Sequence, residues 1–319
     1  MKFFIIIIYL ASFLKADIVT MDISPYFSKI KGGYYNAGVD NIIINDISNA
    51  TSSINMAMYY LTNKHITMAL IKAHQRGVDI KVYTDDRKIS SKRYNSLISQ
   101  GIKVNCDTNP KALMHNKFLI IDKKILWVSS ANYTVYSFYR NYDNFLRVID
   151  RRVISYYSKK FKLLYNHSPK KLKPYNSKNI EVYFSPDTNF ENKIVSLINS
   201  SKSSIKFLAF AFTNLKISQA LIDAKSRGVE VEGVFDESQN RFQKFSQYKR
   251  LKDNGLDVKF DKNRFKLHSK VFIIDENIVV MGSYNFTKKA NIINDENSMV
   301  IKDRDIAKAY LKRFYEIFR

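Results

Sequence analysis

The chain has a single cysteine, Cys106, among 319 residues. That excludes an internal disulfide framework and any zinc site built from several thiolates. Glycine and proline are sparse, at 9 and 5, so the chain is neither collagen-like nor a Pro/Gly-rich disordered segment. Apolar residues make up 45% and charged residues 25%, as in ordinary folded domains. The length suits two domains of about 150 residues, each able to bury its own core. No apolar run reaches the ~18–20 residues that span a bilayer, which excludes a polytopic membrane protein. The run Phe3–Leu14 follows Lys2 and precedes Lys15-Ala16-Asp17. A charged start, a short apolar stretch and a small residue at Ala16 predict a signal peptide over residues 1–16, with an uncleaved anchor as the alternative. Either puts the body of the protein outside the cytoplasm, in the periplasm or secreted. A lone cysteine suits an oxidising compartment, having no partner with which to mispair.

Acidic residues are also in short supply. Against 52 Lys+Arg stand 29 Asp+Glu, a net charge of +23. The excess is uneven. Residues 17–165 hold 22 basic and 11 acidic side chains, hence +11, and residues 181–319 hold 24 and 18, hence +6. A surface this basic attracts polyanions, either nucleic acid or an anionic bilayer.

The chain repeats itself. Thr62-Asn63, Arg76-Gly77-Val78 and Asp85 return as Thr213-Asn214, Arg227-Gly228-Val229 and Asp236. This period is far longer than that of a solenoid and marks a duplicated domain. Residues 17–165 form the first repeat, 166–178 a Lys- and Pro-containing linker, and 179–319 the second repeat. Apolar patterning predicts strands over 54–60, 78–84, 118–121 and 126–130 in the first copy, with helices over 67–75 and 95–100. The second copy predicts strands over 180–184, 205–212, 229–235, 256–260, 270–274 and 278–283. Its helices fall at 190–200, 217–226, 245–254 and 303–318. Alternating helices and apolar strands argue for α/β sheets covered on both faces.

The copies also share a chemical pattern. His115-x-Lys117-x4-Asp122 returns as His268-x-Lys270-x4-Asp275. Each is followed by Ser-x-Asn, namely Ser130-Ala131-Asn132 and Ser283-Tyr284-Asn285, and then by an acid, Asp143 or Glu296. Residues two apart on a strand share a face, so His pairs with Lys, and Ser with Asn. Asp122 and Asp275 lie an odd step from their histidines, which gives them a structural or orienting part within the motif. An imidazole, an ammonium, a hydroxyl and an amide on one surface suit an anionic phosphoryl group. His65, His74 and His167 lack such company and read as structural or surface residues.

This pattern resembles the phospholipase D superfamily, with both of its His-Lys-Asp motifs in one chain. The resemblance covers nearly all of residues 17–319. It implies a duplicated α/β/α domain: two mixed sheets flanked by helices, related by a pseudo-twofold axis, with the active site between them. It also implies a phosphodiesterase needing no cofactor or metal. One histidine attacks phosphorus to form a phosphohistidine, and the other protonates the leaving alcohol and then activates water. By that analogy His115 is the nucleophile and His268 the acid. Lys117, Lys270, Asn132 and Asn285, with Ser130 and Ser283, would bind phosphate oxygens. Asp143 and Glu296 fall where the family places an acid that orients a histidine. One departure is that the first copy has Ser129-Ser130 where the second has the family-like Gly282-Ser283.

Substrate is the open choice. The charge favours nucleic acid, since polyphosphate binding grows with Lys/Arg count. Aromatics beside the motifs (Tyr133, Tyr136, Phe138, Tyr139, Tyr284, Phe286) are candidates for base stacking or for packing. Phospholipid headgroups are the alternative, because an exported basic protein meets anionic membranes. A non-catalytic nucleic-acid binder on the same scaffold is a third reading, which intact His and Lys in both copies oppose. Both motifs lie in one chain, so a monomer is sufficient for catalysis.

Overall fold

The computed structural model describes residues 22–30 and 38–319. The proposed signal peptide lies outside the described residues. The first repeat runs β1 (Asp22–Phe27), α1 (Val39–Ser48), β2 (Ser53–Met58), α2 (Lys64–Gln75), β3 (Asp79–Thr84), α3 (Lys92–Ile98), β4 (Lys103–Cys106), β5 (Lys117–Ile121), β6 (Ile125–Ser129), α4 (Val135–Tyr139), β7 (Asn144–Ile149) and α5 (Arg151–Tyr165). The second runs β8 (Tyr175–Asn176), β9 (Ile180–Ser185), α6 (Phe190–Ser200), β10 (Ser204–Ala209), α7 (Leu215–Ser226), β11 (Glu230–Phe235), α8 (Glu237–Asn240), α9 (Tyr248–Asp253), β12 (Asp257–Phe260), β13 (Lys270–Ile274), β14 (Ile278–Gly282), α10 (Lys288–Ile292), β15 (Glu296–Lys302) and α11 (Arg304–Phe318).

Each repeat makes one mixed sheet. The orders are β1-β7-β6-β5-β2-β3-β4 and β12-β11-β10-β13-β14-β15-β9-β8. Apart from the extra β8, the second is the first read backwards with equivalent strands exchanged. In each repeat three strands pair in parallel (β2-β3-β4 and β10-β11-β12) and the rest antiparallel. The helices that link the parallel strands start and stop on the repeated sequence signals. The Asn63 side chain accepts from the His65 and Ile66 N–H groups at the start of α2, and Asn214 accepts from the Ile217 N–H of α7. Gly77 and Gly228 end these helices at φ +93° and +86°, a conformation in which glycine carries no Cβ penalty.

Three apolar cores define the layers. One lies between the first sheet and α1–α3, and another between the second sheet and α6, α7 and α9. The third joins the inner faces of both sheets around α5 and α11. Shared apolar burial thus makes the halves one body with a five-layer section. The polar segment 166–178 is not wholly a linker, because Tyr175–Asn176 adds a short strand to the edge of the second sheet. Among the described residues no helix is long and apolar enough to cross a membrane.

Candidate active site

The two repeats exchange backbone bonds at the motifs. The His115 N–H donates to the Asp295 carbonyl at 2.9 Å, and the His268 N–H to the Tyr142 carbonyl at 3.0 Å. Short bridges Met114–Asp295 and Tyr142–Leu267 flank these bonds. Each histidine therefore precedes its own strand, β5 or β13, while its backbone is pinned to the other repeat.

The carboxylates also cross over. His115 Nδ1 donates to Glu296 Oε2 at 2.8 Å, and His268 Nδ1 donates to Asp143 Oδ1 at 2.9 Å. Each repeat's acid orients the histidine of the other repeat. A carboxylate only accepts, so Nδ1 carries a proton on both rings, and Nε2 offers a lone pair when the ring is neutral or a second proton when it is charged. Ser130 and Ser283, expected on phosphate, serve these acids instead. Ser130 Oγ donates to Asp143 at 2.6 Å and Ser283 Oγ to Glu296 at 2.5 Å. Each Oγ in turn accepts the backbone N–H of Asn144 or Asn297. Both hydroxyls are spent, which removes them from the phosphate-binding set.

Lys117 and Lys270 are fully buried, each folded back so that Nζ donates to the carbonyl of its own histidine. Burial lowers their pKa values to about 7 and about 8. It also lowers both histidines, His268 to about 4, with the facing carboxylates opposing and the lysines adding to the shift. Asp143 is held below the usual carboxylate range by His268, Lys270 and Ser130, against the effect of burial. Asn132 and Asn285 follow the ends of β6 and β14, and the side-chain oxygen of each is buried without a hydrogen-bond partner. Such groups cost free energy unless something binds beside them.

Asp122 and Asp275 are not at the site. They occupy hairpin turns at φ +52° and +50°, at the far ends of β5 and β13. Seven residues of strand separate each from its histidine by about 20 Å. Asp122 accepts the N–H groups of Thr51, Ser52 and Ser53, and Asp275 those of Lys202, Ser203 and Ser204. Their place in the motif is structural, in keeping with their odd spacing from the histidines, and they are not catalytic residues.

The Ser129/Gly282 departure has a local cause. Gly282 sits at φ +146°, where an added Cβ would lie 2.2 Å from the Asn297 carbonyl oxygen. Ser129 is not at positive φ, and its hydroxyl donates to the Ala131 carbonyl. The first repeat's strand end thus takes a side chain without strain.

Other residues of the site were not named from sequence. Tyr59 and Phe210 pack their rings 5.3 and 4.7 Å from His115 and His268. They are equivalent positions just past β2 and β10, a match that a full alignment of the repeats exposes. Asp85 and Asp236, noted as repeated, accept the N–H of Met114 and of Leu267, fixing the residue before each histidine. Of the six aromatics considered for stacking, Tyr136 alone is exposed. The other five are buried as packing. Among the described residues one group has the donor spacing for a metal ion, Asp85, Asp86 and Asp107. Arg87 already pairs with Asp85 at 2.8 Å, so this cluster reads as a brace.

Two buried histidines held by carboxylates, with two lysines and two amides, define a phosphodiester hydrolase built from paired half-sites. The phospholipase D-like domain of cardiolipin synthase matches residues 43–165 and 194–318, and the chain belongs to the phospholipase D superfamily. It is 32% identical over 205 residues to a phospholipase D of Rickettsia felis, covering 63% of this chain and 94% of the relative. A phospholipase D of Rickettsia bellii is 36% identical over 151 residues, 46% of this chain and 75% of that one. The phosphatidylserine synthase structure from Haemophilus influenzae superposes over 91% of this chain and 87% of its own, with a TM-score of 0.66 at 12% identity. That likeness is one of fold.

Proposed function

We propose that the protein is an exported, metal-independent endonuclease that cuts nucleic acid through a phosphohistidine. The lone pair on Nε2 of His115 attacks phosphorus. The P–O bond to the leaving alcohol breaks, and that oxygen takes the Nε2 proton of His268, which enters the step as imidazolium paired with Asp143. Water then attacks phosphorus and gives its proton to His268 while the P–N bond breaks, restoring both rings. Lys117 and Lys270 neutralise the non-bridging oxygens, and the side-chain NH2 groups of Asn132 and Asn285 donate to them. One chain supplies both halves, so the reading needs no second copy.

The observation that carries the choice of nucleic acid is a cation–aromatic platform beside the motifs. Tyr136 is 53% exposed, with its ring centre 5.9 Å from that of Phe265. The Arg140 guanidinium lies 4.6 Å from the first ring and 5.1 Å from the second. Phe265 is three residues from His268, and Tyr136 four from Asn132. Such a platform suits stacked bases beside a charged backbone.

A specific feature favours phospholipid as the second reading. Phe242 and Phe245, between α8 and α9, are 94% and 65% exposed. Arg241 and Lys244 accompany them, the composition of an interfacial anchor. The segment adjoins the site, since Asn240 Nδ2 donates to the Phe210 carbonyl. The Rickettsia relatives also carry the name phospholipase D.

The test offers residues 17–319 labelled single- and double-stranded DNA in excess EDTA, in parallel with phosphatidylcholine and cardiolipin vesicles. His268→Ala is the control. DNA cleavage absent from the control is expected. Headgroup release with DNA intact sinks the nuclease reading. DNA binding with neither activity points to the non-catalytic reading.

A further inference from the structure

A groove of about 960 Å³ runs along α5 on the first repeat. It lies by the Asp122 turn, so the seven residue steps from His115 to Asp122, about 20 Å, separate it from His115. Lys81, Lys123, Lys124, Arg151, Lys159 and Lys162 line it. All but Lys81 are exposed, and Lys81 is half-buried beside Asp79 at 3.3 Å. The one acid in the wall, Asp122, already accepts from three backbone N–H groups and two hydroxyls. No carboxylate in the wall is free to neutralise the lysines.

The duplication provides an internal comparison. In the second repeat, Lys206 stands where Asn55 stands in the first and Glu232 where Lys81 does. Lys206 is 1% exposed and lies 2.6 Å from both Glu230 and Glu232. Glu276 replaces Lys123, and Tyr315 replaces Lys162. One copy has filled this position with Lys206 and set acids against it, keeping only Arg304 and Lys312 where the first has Arg151 and Lys159. The other keeps it open and cationic, in line with the larger charge excess of residues 17–165.

We propose that this groove is an accessory site for a single strand of nucleic acid, holding the polymer away from the scissile bond. Several cations around a concave channel can track successive phosphates of a flexible chain. A flat bilayer reaches only the rim of such a channel. Asn55 and Asn166 in the same wall add amide groups that can pair with base edges or sugar. The identity of the polymer rests on the nuclease reading, whereas the groove's role as a binding site does not.

The test combines Lys123→Ala, Lys124→Ala and Lys159→Ala. A matched set, Lys72→Ala, Lys202→Ala and Lys225→Ala, removes equal charge elsewhere. Binding of a fluorescent 30-nucleotide strand is followed by anisotropy across salt concentrations, in a His268→Ala background so that nothing is cut. Vesicles containing phosphatidylglycerol are assayed in parallel. With His268 intact, hydrolysis of a small chromogenic phosphodiester reports on the catalytic site. The groove variant is expected to bind the strand roughly ten-fold more weakly, with the log–log salt slope flatter by about 2. The matched set should stay within about two-fold of the parent, and small-substrate hydrolysis should be unchanged. Equal strand binding by groove and matched variants overturns the proposal, as does a groove variant that loses vesicle binding alone. If the intact protein cuts no DNA yet the groove variant still loses the strand, the nuclease reading fails and the groove stands.

Discussion

Glu296 reaches across the molecule to His115, and Asp143 to His268, so each histidine depends on a carboxylate from the other repeat. Removing the charge while keeping the shape isolates that dependence. Glu296→Gln and Asp143→Asn should each lower kcat by on the order of 10²–10⁴, by analogy with other carboxylates that hold a catalytic imidazole. KM should change little and the far-UV spectrum not at all. Steady-state kinetics on both variants checks this, and a loss confined to KM would count against it. The lysines set the pH response. With Lys117 lowered to about 7 and Lys270 to about 8, the ammonium groups lose charge just above neutrality. The free enzyme then loses phosphate affinity, so kcat/KM should fall as pH rises through about 7–8. A profile flat to pH 9.5 would show ordinary lysines. The two histidines act on stability in the opposite range. Their folded pKa values lie below the unfolded value of about 6.5, so the unfolded chain binds more protons in acid. Their contribution favours folding above that pH and turns against it as pH falls.

At the level of elements, the two hairpin turns explain why the third motif residue is part of the pattern without touching substrate. Asp122 ties the start of β2 to the β5–β6 turn, and Asp275 does the same for β10. Asp122→Ala should cost on the order of 2–3 kcal/mol, read by urea denaturation, and leave kcat of the folded fraction unchanged. Gly282→Ala should destabilise by more than about 1 kcal/mol, because its Cβ would meet the Asn297 carbonyl, whereas Ser129→Ala should cost less. The central strands and α2, α6 and α7 were legible because their apolar periods are clean and their caps repeat. The sequence reading left out β1, α1, β4, α4, β7, α5, β8, α8, α10 and β15. In α5 a single lysine, Lys160, stands within the buried stripe of Val153, Ile154, Tyr157, Phe161 and Leu164. β7 and β15 begin with the polar residues Asn144 and Glu296, which bond to Ser130 and to His115 and Ser283. The predicted strand over 205–212 ends at Ala209, because Phe210 turns toward His268.

Across the whole molecule, the crossing of the two halves was the least legible feature. Nothing in the sequence says which of the two histidines each acid faces. Only the fold, with the two sheets sharing one apolar layer, brings Glu296 to His115. The residue types of the site were readable because a buried Lys and His recur at equivalent places. The roles of Ser130 and Ser283 were not readable, since a hydroxyl serves a carboxylate or a phosphate equally well. At this scale the two substrate readings also part. Phe242→Ser with Phe245→Ser should leave DNA cleavage within about two-fold while weakening vesicle binding. Loss of DNA cleavage in that variant would place the segment in the nucleic-acid path. The central claim is that His115 and His268, from two repeats, act as one phosphoryl-transfer site. The direct measurement is an alkaline quench of the enzyme turning over DNA in excess EDTA, followed by peptide mapping by mass spectrometry. The account predicts a phosphoryl adduct on His115 that still carries a DNA fragment and that His115→Ala abolishes together with activity. Cleavage with no adduct on either histidine, or activity that survives loss of His115 or His268, would contradict it.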